Sequence, residues 1–195
     1  MNVALFTGIR ELEVCERSMP ILERPGDVLL QIETVGVCGS DIHYYTEGRI
    51  GGQVIEHPAT LGHECAGTVV EVGSVVAGLE AGQRVAIDPA ISCGQCDQCQ
   101  QGRAHTCRNL QFLGCPGQAP GAAMEYITIA VESCYPIPDS MTMVQAALVE
   151  PLSVGIHAVR LAEMQPGGAV AVLGSGPIGL SVLLAVGALC PSRTY

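Results

Sequence analysis

Four cysteines close together in the chain constrain the fold more than any other feature. They follow the spacing Cys93-x2-Cys96-x2-Cys99-x7-Cys107. Four thiolates at such intervals can surround one tetrahedral Zn²⁺, and a site with four protein ligands leaves no position open for chemistry. We therefore predict a structural zinc lobe over residues 92–108. Free or disulfide-bonded cysteines are the alternative.

The composition indicates a globular protein that stays in the cytoplasm. The 195 residues are 48% hydrophobic and 14% charged, as expected of a chain with a buried core. The net charge of −10 argues against nucleic acid and anionic membranes as partners. The N-terminus has no basic segment followed by a long apolar run, so we predict no secretory signal. Thiolates on zinc in a reducing compartment therefore explain the cysteine cluster better than disulfides do.

A second set of metal donors is dispersed along the chain. His63 and Glu64 lie side by side after Gly62, and Cys38 lies on an earlier loop. One sulfur, one nitrogen and one oxygen donor leave a fourth position on zinc for water or substrate, which is the geometry of a catalytic site. Glu150 is a candidate fourth ligand or a partner of the ligands, with an ordinary helix-end carboxylate as the alternative.

The first two thirds of the chain predict a closed or partly closed β-barrel. Short β-branched segments alternate with glycine turns there. The predicted strands cover residues 28–35, 68–76, 83–87 and 123–131. The loop after the first of these is expected to open a short helix with Ser40 or Asp41 near its N-cap.

After residue 140 the pattern changes to helices and a buried strand. Residues 143–161 have helical spacing, interrupted at Glu150–Pro151, where we expect a kink or a restart. The apolar run 169–173 predicts a buried parallel strand, and a helical stretch follows over 180–189. We place a domain boundary near residue 150.

A glycine pattern, Gly174-x-Gly176-x-x-Gly179, lies between that strand and the helical stretch. In this context the glycines permit a tight turn and the close approach of a pyrophosphate to a helix N-terminus. The acidic residue that binds the ribose is expected about 20 residues further on, beyond Tyr195.

Together these motifs resemble the zinc-dependent medium-chain dehydrogenases, and most closely the sorbitol (polyol) dehydrogenases. The resemblance extends over essentially the whole chain. It implies mixed α and β structure: a GroES-like β-barrel catalytic domain over 1–150, then the first βαβ portion of a Rossmann domain over 151–195. The segments that carry it are residues 36–44, 62–73, 149–157, the cysteine lobe and the glycine pattern.

The resemblance also implies roles for individual residues. Cys38, His63 and Glu64 would be ligands of a catalytic zinc, and Glu150 would contact that metal or its water. Ser40 and His43 would form a proton relay. Tyr44 and Phe112 would line the substrate pocket, and Gly174, Gly176, Pro177, Ile178 and Gly179 would bind the cofactor.

The implied reaction is hydride transfer between a sorbitol- or xylitol-like polyol, or another secondary alcohol, and NAD, with NADP not excluded. Members of this family commonly form homotetramers or homodimers, and they are considerably longer than this chain. We therefore expect the chain alone to be inactive.

Three alternatives remain open. An L-threonine or general secondary-alcohol dehydrogenase would share every zinc residue. A zinc-binding domain without turnover would explain the incomplete cofactor site. A nucleic-acid-binding zinc module would need a basic face, but near the lobe only Arg103 and Arg108 are basic and Asp97 opposes them.

Overall fold

Short strands and helices alternate along the part of the chain that the computed structural model describes, residues 1–164, 167–188 and 193–194, the last two by backbone alone. The strands are β1 (Asn2–Gly8), β2 (Glu11–Glu16), β3 (Asp27–Val35), β4 (Arg49–Ile50), β5 (Gln53–Val54), β6 (Cys65–Val72), β7 (Arg84–Ile87), β8 (Ala90–Ile91), β9 (Gln111–Phe112), β10 (Tyr126–Ala130), β11 (Cys134–Pro136), β12 (Ala169–Val170) and β13 (Arg193–Thr194). The helices are α1 (Gly39–Glu47), α2 (Asp97–Gln100), α3 (Met143–Ala147), α4 (Val149–Leu161) and α5 (Pro177–Ala188).

A five-stranded antiparallel sheet forms the frame of the first unit, which spans Met1–Ala147. Its strand order is β10-β3-β6-β7-β11, and two bulges interrupt the pairing of β3 with β6. Bulges bend a strand and increase its local twist, which helps such a sheet to curl. Two-residue ribbons, β4–β5 and β8–β9, extend from this frame.

The two faces of the sheet bury different side chains. Val85 and Ile87 of β7 belong to the main core with Val28, Leu30 and Val69, while Ala86 between them faces a second cluster. This is the period-two alternation of a strand. The second cluster contains the buried alanines of α3, so α3 covers the face opposite the main core.

The first helix begins at Gly39, and Cys38, with extended backbone angles, is its N-cap. Ser40 and Asp41 both lie in the first turn, which agrees with the expectation that one of them lies near the N-cap. The Asp41 Oδ2 accepts a hydrogen bond of 2.9 Å from the Cys38 N–H. A carboxylate in the first turn satisfies a donor that the helix leaves unpaired.

The predicted helical stretch from 143 to 161 is divided, but not where we expected. The break lies at Leu148, between α3 and α4, whereas Pro151 lies inside the first turn of α4. The first N–H groups of a helix have no partner within the helix, so a proline there removes no hydrogen bond.

The second unit spans Leu148–Tyr195 and has its own small core. Val159 of α4 packs with Ala185 and Val186 of α5. A Cβ on Gly155 would lie 2.5 Å from the Ser181 carbonyl carbon, so the helices cross at close range only because this residue is glycine.

The strand predicted over 169–173 is shorter than expected. β12 pairs in parallel with β13, which agrees with the expected direction, but it ends at Val170. Leu173 is 98% exposed, so burial of the whole apolar run was wrong. Leu189, the last residue of the predicted helical stretch, lies outside the described residues.

No helix among the described residues combines the length and hydrophobicity needed to cross a bilayer. The chain divides after Ala147. The assignment of 1–150 and 151–195 to catalytic and cofactor-binding domains stays a prediction.

Candidate metal sites

The four cysteines of the lobe converge on one point. The sulfurs of Cys93, Cys96, Cys99 and Cys107 all lie within 4.8 Å of one another. Cys96 Sγ is 3.5 Å from Cys99 Sγ and 3.9 Å from Cys107 Sγ. With Zn–S bonds of about 2.3 Å, sulfurs at the corners of a tetrahedron lie about 3.8 Å apart. The donor set and its spacing therefore fit a tetrahedral zinc ion.

The pKa values of neighbouring thiols in the lobe are shifted in opposite directions. Hydrogen bonds from the backbone N–H groups of Arg108 and Cys99 lower the pKa of the Cys96 thiol to about 6. Burial and the neighbouring Cys96 sulfur raise the pKa of Cys99 to about 11. Backbone N–H groups aimed at sulfur stabilise a thiolate, which is the form that binds zinc.

An ion pair closes the lobe on its outer side. The Arg108 guanidinium donates two hydrogen bonds to Asp97, Nε to Oδ1 at 2.5 Å and a terminal nitrogen to Oδ2 at 2.7 Å. Asp97 follows Cys96 and Arg108 follows Cys107, so this fork links the segments that carry two of the sulfurs. The guanidinium holds the pKa of Asp97 down to about 2.

The dispersed donors also meet. One donor atom each from Cys38, His63 and Glu64 lies within 4.8 Å of the others. His63 is 9% exposed and Glu64 is 8% exposed, so both side chains are almost removed from water. A buried carboxylate beside a thiol and an imidazole is costly unless a cation or hydrogen bonds compensate it. The chemistry of the donors and their burial fit a divalent metal.

Asp41 ties together the two loops that carry these donors. Its carboxylate is buried and accepts hydrogen bonds from the N–H groups of Cys38, at 2.9 Å, and Gly62, at 3.3 Å. The His63 Nδ1 lies 3.9 Å from Asp41 Oδ1. One carboxylate thus fixes the backbone next to two of the three donors. We anticipated Asp41 only as a helix cap; an acidic residue three positions after the N-cap was the available signal.

Close backbone contacts position the His63 loop. The Ala122 N–H donates to the Gly62 carbonyl at 2.8 Å. A Cβ on Gly121 would lie 2.2 Å from the Leu61 carbonyl, and one on Gly114 would lie 2.9 Å from the Gly62 nitrogen. No side chain fits between these segments, so we refer to Gly62, Gly114 and Gly121 as the glycine seam. Sequence reasoning did not find the last two, because their contacts are remote in the chain.

Glu64 is held in a similar way by Gly36. The Gly36 N–H donates to the Glu64 carbonyl at 2.6 Å. A Cβ at position 36 would meet the Glu64 side chain, 2.9 Å from its Cβ and closer still to its carboxylate. The glycine therefore leaves the space in which the Glu64 side chain turns toward the cluster.

Two aromatic residues predicted for a substrate pocket have different surroundings. The Phe112 ring lies 5.4 Å from the His63 ring, edge to face at 60°. Tyr44 is buried with Ile55 and Leu61, and its hydroxyl donates to Gln53 Oε1 at 2.8 Å. Phe112 therefore borders the dispersed cluster, whereas Tyr44 is packed in a small core. Their contact with a substrate stays a prediction.

The predicted relay residues lie on α1. Ser40 is partly buried in the first turn, and His43 is exposed, with its Nδ1 3.3 Å from Glu47 Oε1. Glu150 lies in the first turn of α4, in the second unit.

The glycine pattern forms a turn in which Gly174 has a φ of 115°, and α5 begins at Pro177. A Cβ on Gly179 would lie 2.0 Å from the Gly174 carbonyl oxygen, so the helix start and the turn are in direct contact.

Comparison with known proteins identifies the class to which this fold and these sites belong. The sequence profile of the alcohol dehydrogenase GroES-like domain matches residues 24–139. Sorbitol dehydrogenase of Bacillus subtilis (strain 168) is 43% identical over 185 residues, which are 95% of this chain and 52% of the relative. The chain thus spans about half the length of the curated relatives it matches.

Two crystal structures have closely similar folds. Galactitol-1-phosphate dehydrogenase from Escherichia coli superimposes with a TM-score of 0.91 at 30% identity, covering 100% of this chain and 54% of that one. A structure assigned to a zinc-binding dehydrogenase of Sinorhizobium meliloti 1021, bound to NADP, gives a TM-score of 0.87 at 34% identity, covering 99% and 54%. The chain belongs to the zinc-dependent medium-chain dehydrogenase family, through its alcohol dehydrogenase GroES-like domain. The predicted resemblance and fold class are confirmed.

Proposed function

We propose that this protein is a zinc-dependent oxidoreductase of the cytoplasm that transfers hydride between a polyol and NAD or NADP. The observation that carries the proposal is the meeting of Cys38, His63 and Glu64 within 4.8 Å, on a domain of the alcohol dehydrogenase type. Three donors of different kinds leave room for a substrate oxygen.

Two zinc ions would have different roles. The four cysteines of the lobe would hold one ion with no open position, so that ion would be structural. Cys38, His63 and Glu64 would hold the other, and we assign Glu150 to the same ion or to its water. When bound at the dispersed cluster, zinc supplies Lewis acidity, which makes an alcohol hydroxyl a stronger acid.

The chain's own residues would then orient the alcohol and move its proton. His63 and Glu64 are almost fully buried, so little water would reach a hydroxyl bound beside them. We assign the first proton transfer to the Ser40 hydroxyl and release to solvent to the exposed His43 ring. We assign Tyr44 and Phe112 to the substrate pocket.

The turn at the start of α5 is the proposed cofactor site. The backbone of Gly174 and Gly176 can approach a pyrophosphate closely, since Gly176 has open space where a Cβ would be. Pro177, Ile178 and Gly179 begin the helix whose N-terminus would face the phosphates. The bound nicotinamide supplies the hydride acceptor.

The substrate class rests on the relatives. Sorbitol dehydrogenase and galactitol-1-phosphate dehydrogenase are both named for polyols. L-threonine and simple secondary alcohols are the competing substrates. We propose a homotetramer or homodimer for the full-length protein, with neither nucleic acid nor membrane as partner.

Metal analysis of the purified chain tests the proposal directly. We expect two zinc ions per chain, with loss of one in a Cys38→Ser variant and retention of the thiolate-bound ion. If the chain binds only one ion and the Cys38→Ser variant keeps it, the dispersed cluster holds no metal. The chain would then be a zinc-binding domain without turnover. Nicotinamide binding by this chain is expected to be weak, and oxidation of threonine but not of sorbitol or xylitol by a longer form of the protein would refute the polyol assignment.

A further inference from the structure

An aromatic side chain at the base of the thiolate lobe contacts a donor of the dispersed cluster. Phe112 belongs to β9, at the base of the thiolate lobe, and its ring meets the His63 ring edge to face with centroids 5.4 Å apart. Aromatic rings in this arrangement attract each other and restrict each other's rotation. The imidazole of His63 is thus oriented by a residue of the strand into which the lobe leads.

The position of Phe112 depends on a very short stem. Strands β8 and β9 pair over two residues each, with Phe112 opposite Ala90, and the lobe is the loop between them. The Leu113 N–H adds one hydrogen bond to the Pro89 carbonyl at 3.1 Å. A ribbon this short has little stability of its own.

The sulfur cluster closes the lobe directly above this stem. Cys93 and Cys107 are the first and last cysteines of the lobe, and the Cys93 N–H donates to Cys107 Sγ at 3.2 Å. The Asn109 N–H donates to the same sulfur at 3.4 Å. An ion held by these sulfurs would fix both ends of the loop where they enter β8 and β9.

We propose that Phe112 is a positioning residue that transmits the metal state of the thiolate lobe to His63. The inference rests on the two metal sites of the proposed function. A filled lobe holds β9 in register, the Phe112 ring restricts His63, and the dispersed cluster binds its metal more tightly. The effect is several-fold and not absolute, because Leu113, buried in the main core, anchors the far end of β9.

The first test measures Co²⁺ affinity at the dispersed cluster by competition with a chelator. Phe112→Leu keeps an apolar side chain but removes the ring, and we expect about fivefold weaker binding there, the size of a typical aromatic pair. Affinity at the four cysteines should not change while the dispersed cluster is empty, and it should fall by the same factor when that cluster is filled, because coupling between two sites is reciprocal. Phe112→Tyr keeps the ring and should restore binding at the dispersed cluster. Equal losses in the Leu and Tyr variants would overturn the proposal.

The second test is a double-mutant cycle with Cys99→Ser, which opens the lobe. We expect the single variants to weaken Co²⁺ binding at the dispersed cluster by similar factors and the double variant to be no weaker than either. Additive losses would mean that the lobe acts by another route or by general destabilisation, and would refute transmission through Phe112.

A third measurement separates this inference from the proposed function. In a Cys38→Ser chain, the NMR shifts of the His63 ring protons report on the neighbouring Phe112 ring without a metal at the dispersed cluster. We expect Zn²⁺ added to the lobe to move these signals, and Phe112→Leu to abolish the movement. Unmoved signals would refute the coupling even if both metal sites exist. Moved signals with no metal at the wild-type dispersed cluster would refute the proposed function alone.

Discussion

The thiolate lobe and the dispersed cluster present metal donors in opposite ways. All four ligands of the lobe come from one exposed loop, and backbone N–H groups and a surface ion pair hold it in shape. The donors of the dispersed cluster come from two separate loops, and the fold buries two of them, His63 and Glu64. Loop donors need the metal to define their structure, whereas donors placed by a barrel are preorganised. The first arrangement suits a structural ion and the second a reactive one.

Removal of the metal should have a much larger effect on the folding of the thiolate lobe than on the folding of the barrel, and this is the largest effect that we expect. Structural zinc in small domains contributes about 10–16 kcal/mol of apparent binding free energy, which is also folding free energy. We expect Cys99→Ser, or chelation, to unfold residues 92–110, while the barrel persists. Limited proteolysis should cut within that segment first.

The matched control is Cys38→Ser, which removes a donor from the barrel side. It should leave the proteolysis pattern of residues 92–110 unchanged, although the melting temperature falls by the stabilisation that the lost ion gave to the folded barrel. If a protease cuts residues 92–110 equally slowly with and without metal, the lobe does not need the ion for its structure, and the two regions do not differ as we propose.

Gly36→Ala should damage the dispersed cluster alone. The new Cβ would lie 2.9 Å from the Glu64 Cβ and displace the carboxylate. Overpacking of this kind costs about 1–3 kcal/mol, and we expect metal bound by the dispersed cluster to fall while the lobe stays filled. Metal analysis of both sites measures this. Gly39→Ala is the control, since nothing lies within 4 Å of a Cβ there; similar metal loss in that variant would contradict the argument.

Asp41→Asn should weaken metal binding without unfolding the protein. Asparagine keeps the shape, but it has one acceptor oxygen where Asp41 uses two, so its amide NH2 would face the N–H group of either Cys38 or Gly62. Loss of such a partner of metal ligands typically costs about 10–100-fold in metal affinity. Competition titration with a chelator measures the loss. Glu47→Gln on the exposed face of the same helix is the control, and an equal effect there would show that α1 responds only to charge.

Loss of the Asp97–Arg108 ion pair should have the smallest effect, on the rate at which the lobe releases zinc. Both side chains are exposed, and a surface ion pair screened by water and salt contributes little. We expect Asp97→Asn and Arg108→Gln each to speed zinc release from the lobe a few-fold at low salt, and the double variant to be no faster. Stopped-flow transfer to a chelator measures this. An effect that is unchanged at high salt would contradict an ionic origin.

The pH dependence of that pair has a defined sign. Arg108 lowers the pKa of Asp97 from 3.8 to about 2. The stabilisation is therefore fully present above the ordinary carboxyl pKa and is lost as the pH falls toward 2. At neutral pH the rate difference between wild type and Asp97→Asn should be constant.

The contrast between the regions also explains what the sequence could predict. The lobe is a local pattern, so its spacing alone indicated that Cys93 and Cys107 meet. Cys38 and His63 are brought together by strand pairing, so the sequence could group them only by the chemistry of their side chains, and the family resemblance then implied a shared zinc. The supporting contacts, Gly36 with Glu64 and Gly114 with Gly62, depend on distances between remote backbones that no local pattern contains. Leu173 followed the apolar pattern of a buried strand and yet is exposed.

The glycine seam has a consequence for how the protein can change over evolutionary time. Main-chain atoms meet directly where Gly114 and Gly121 pass Leu61 and Gly62, so a mutation at either glycine would add a methyl group where backbone already stands. Such a change would have to move the loop that carries His63, and we therefore expect these two positions to accept only glycine.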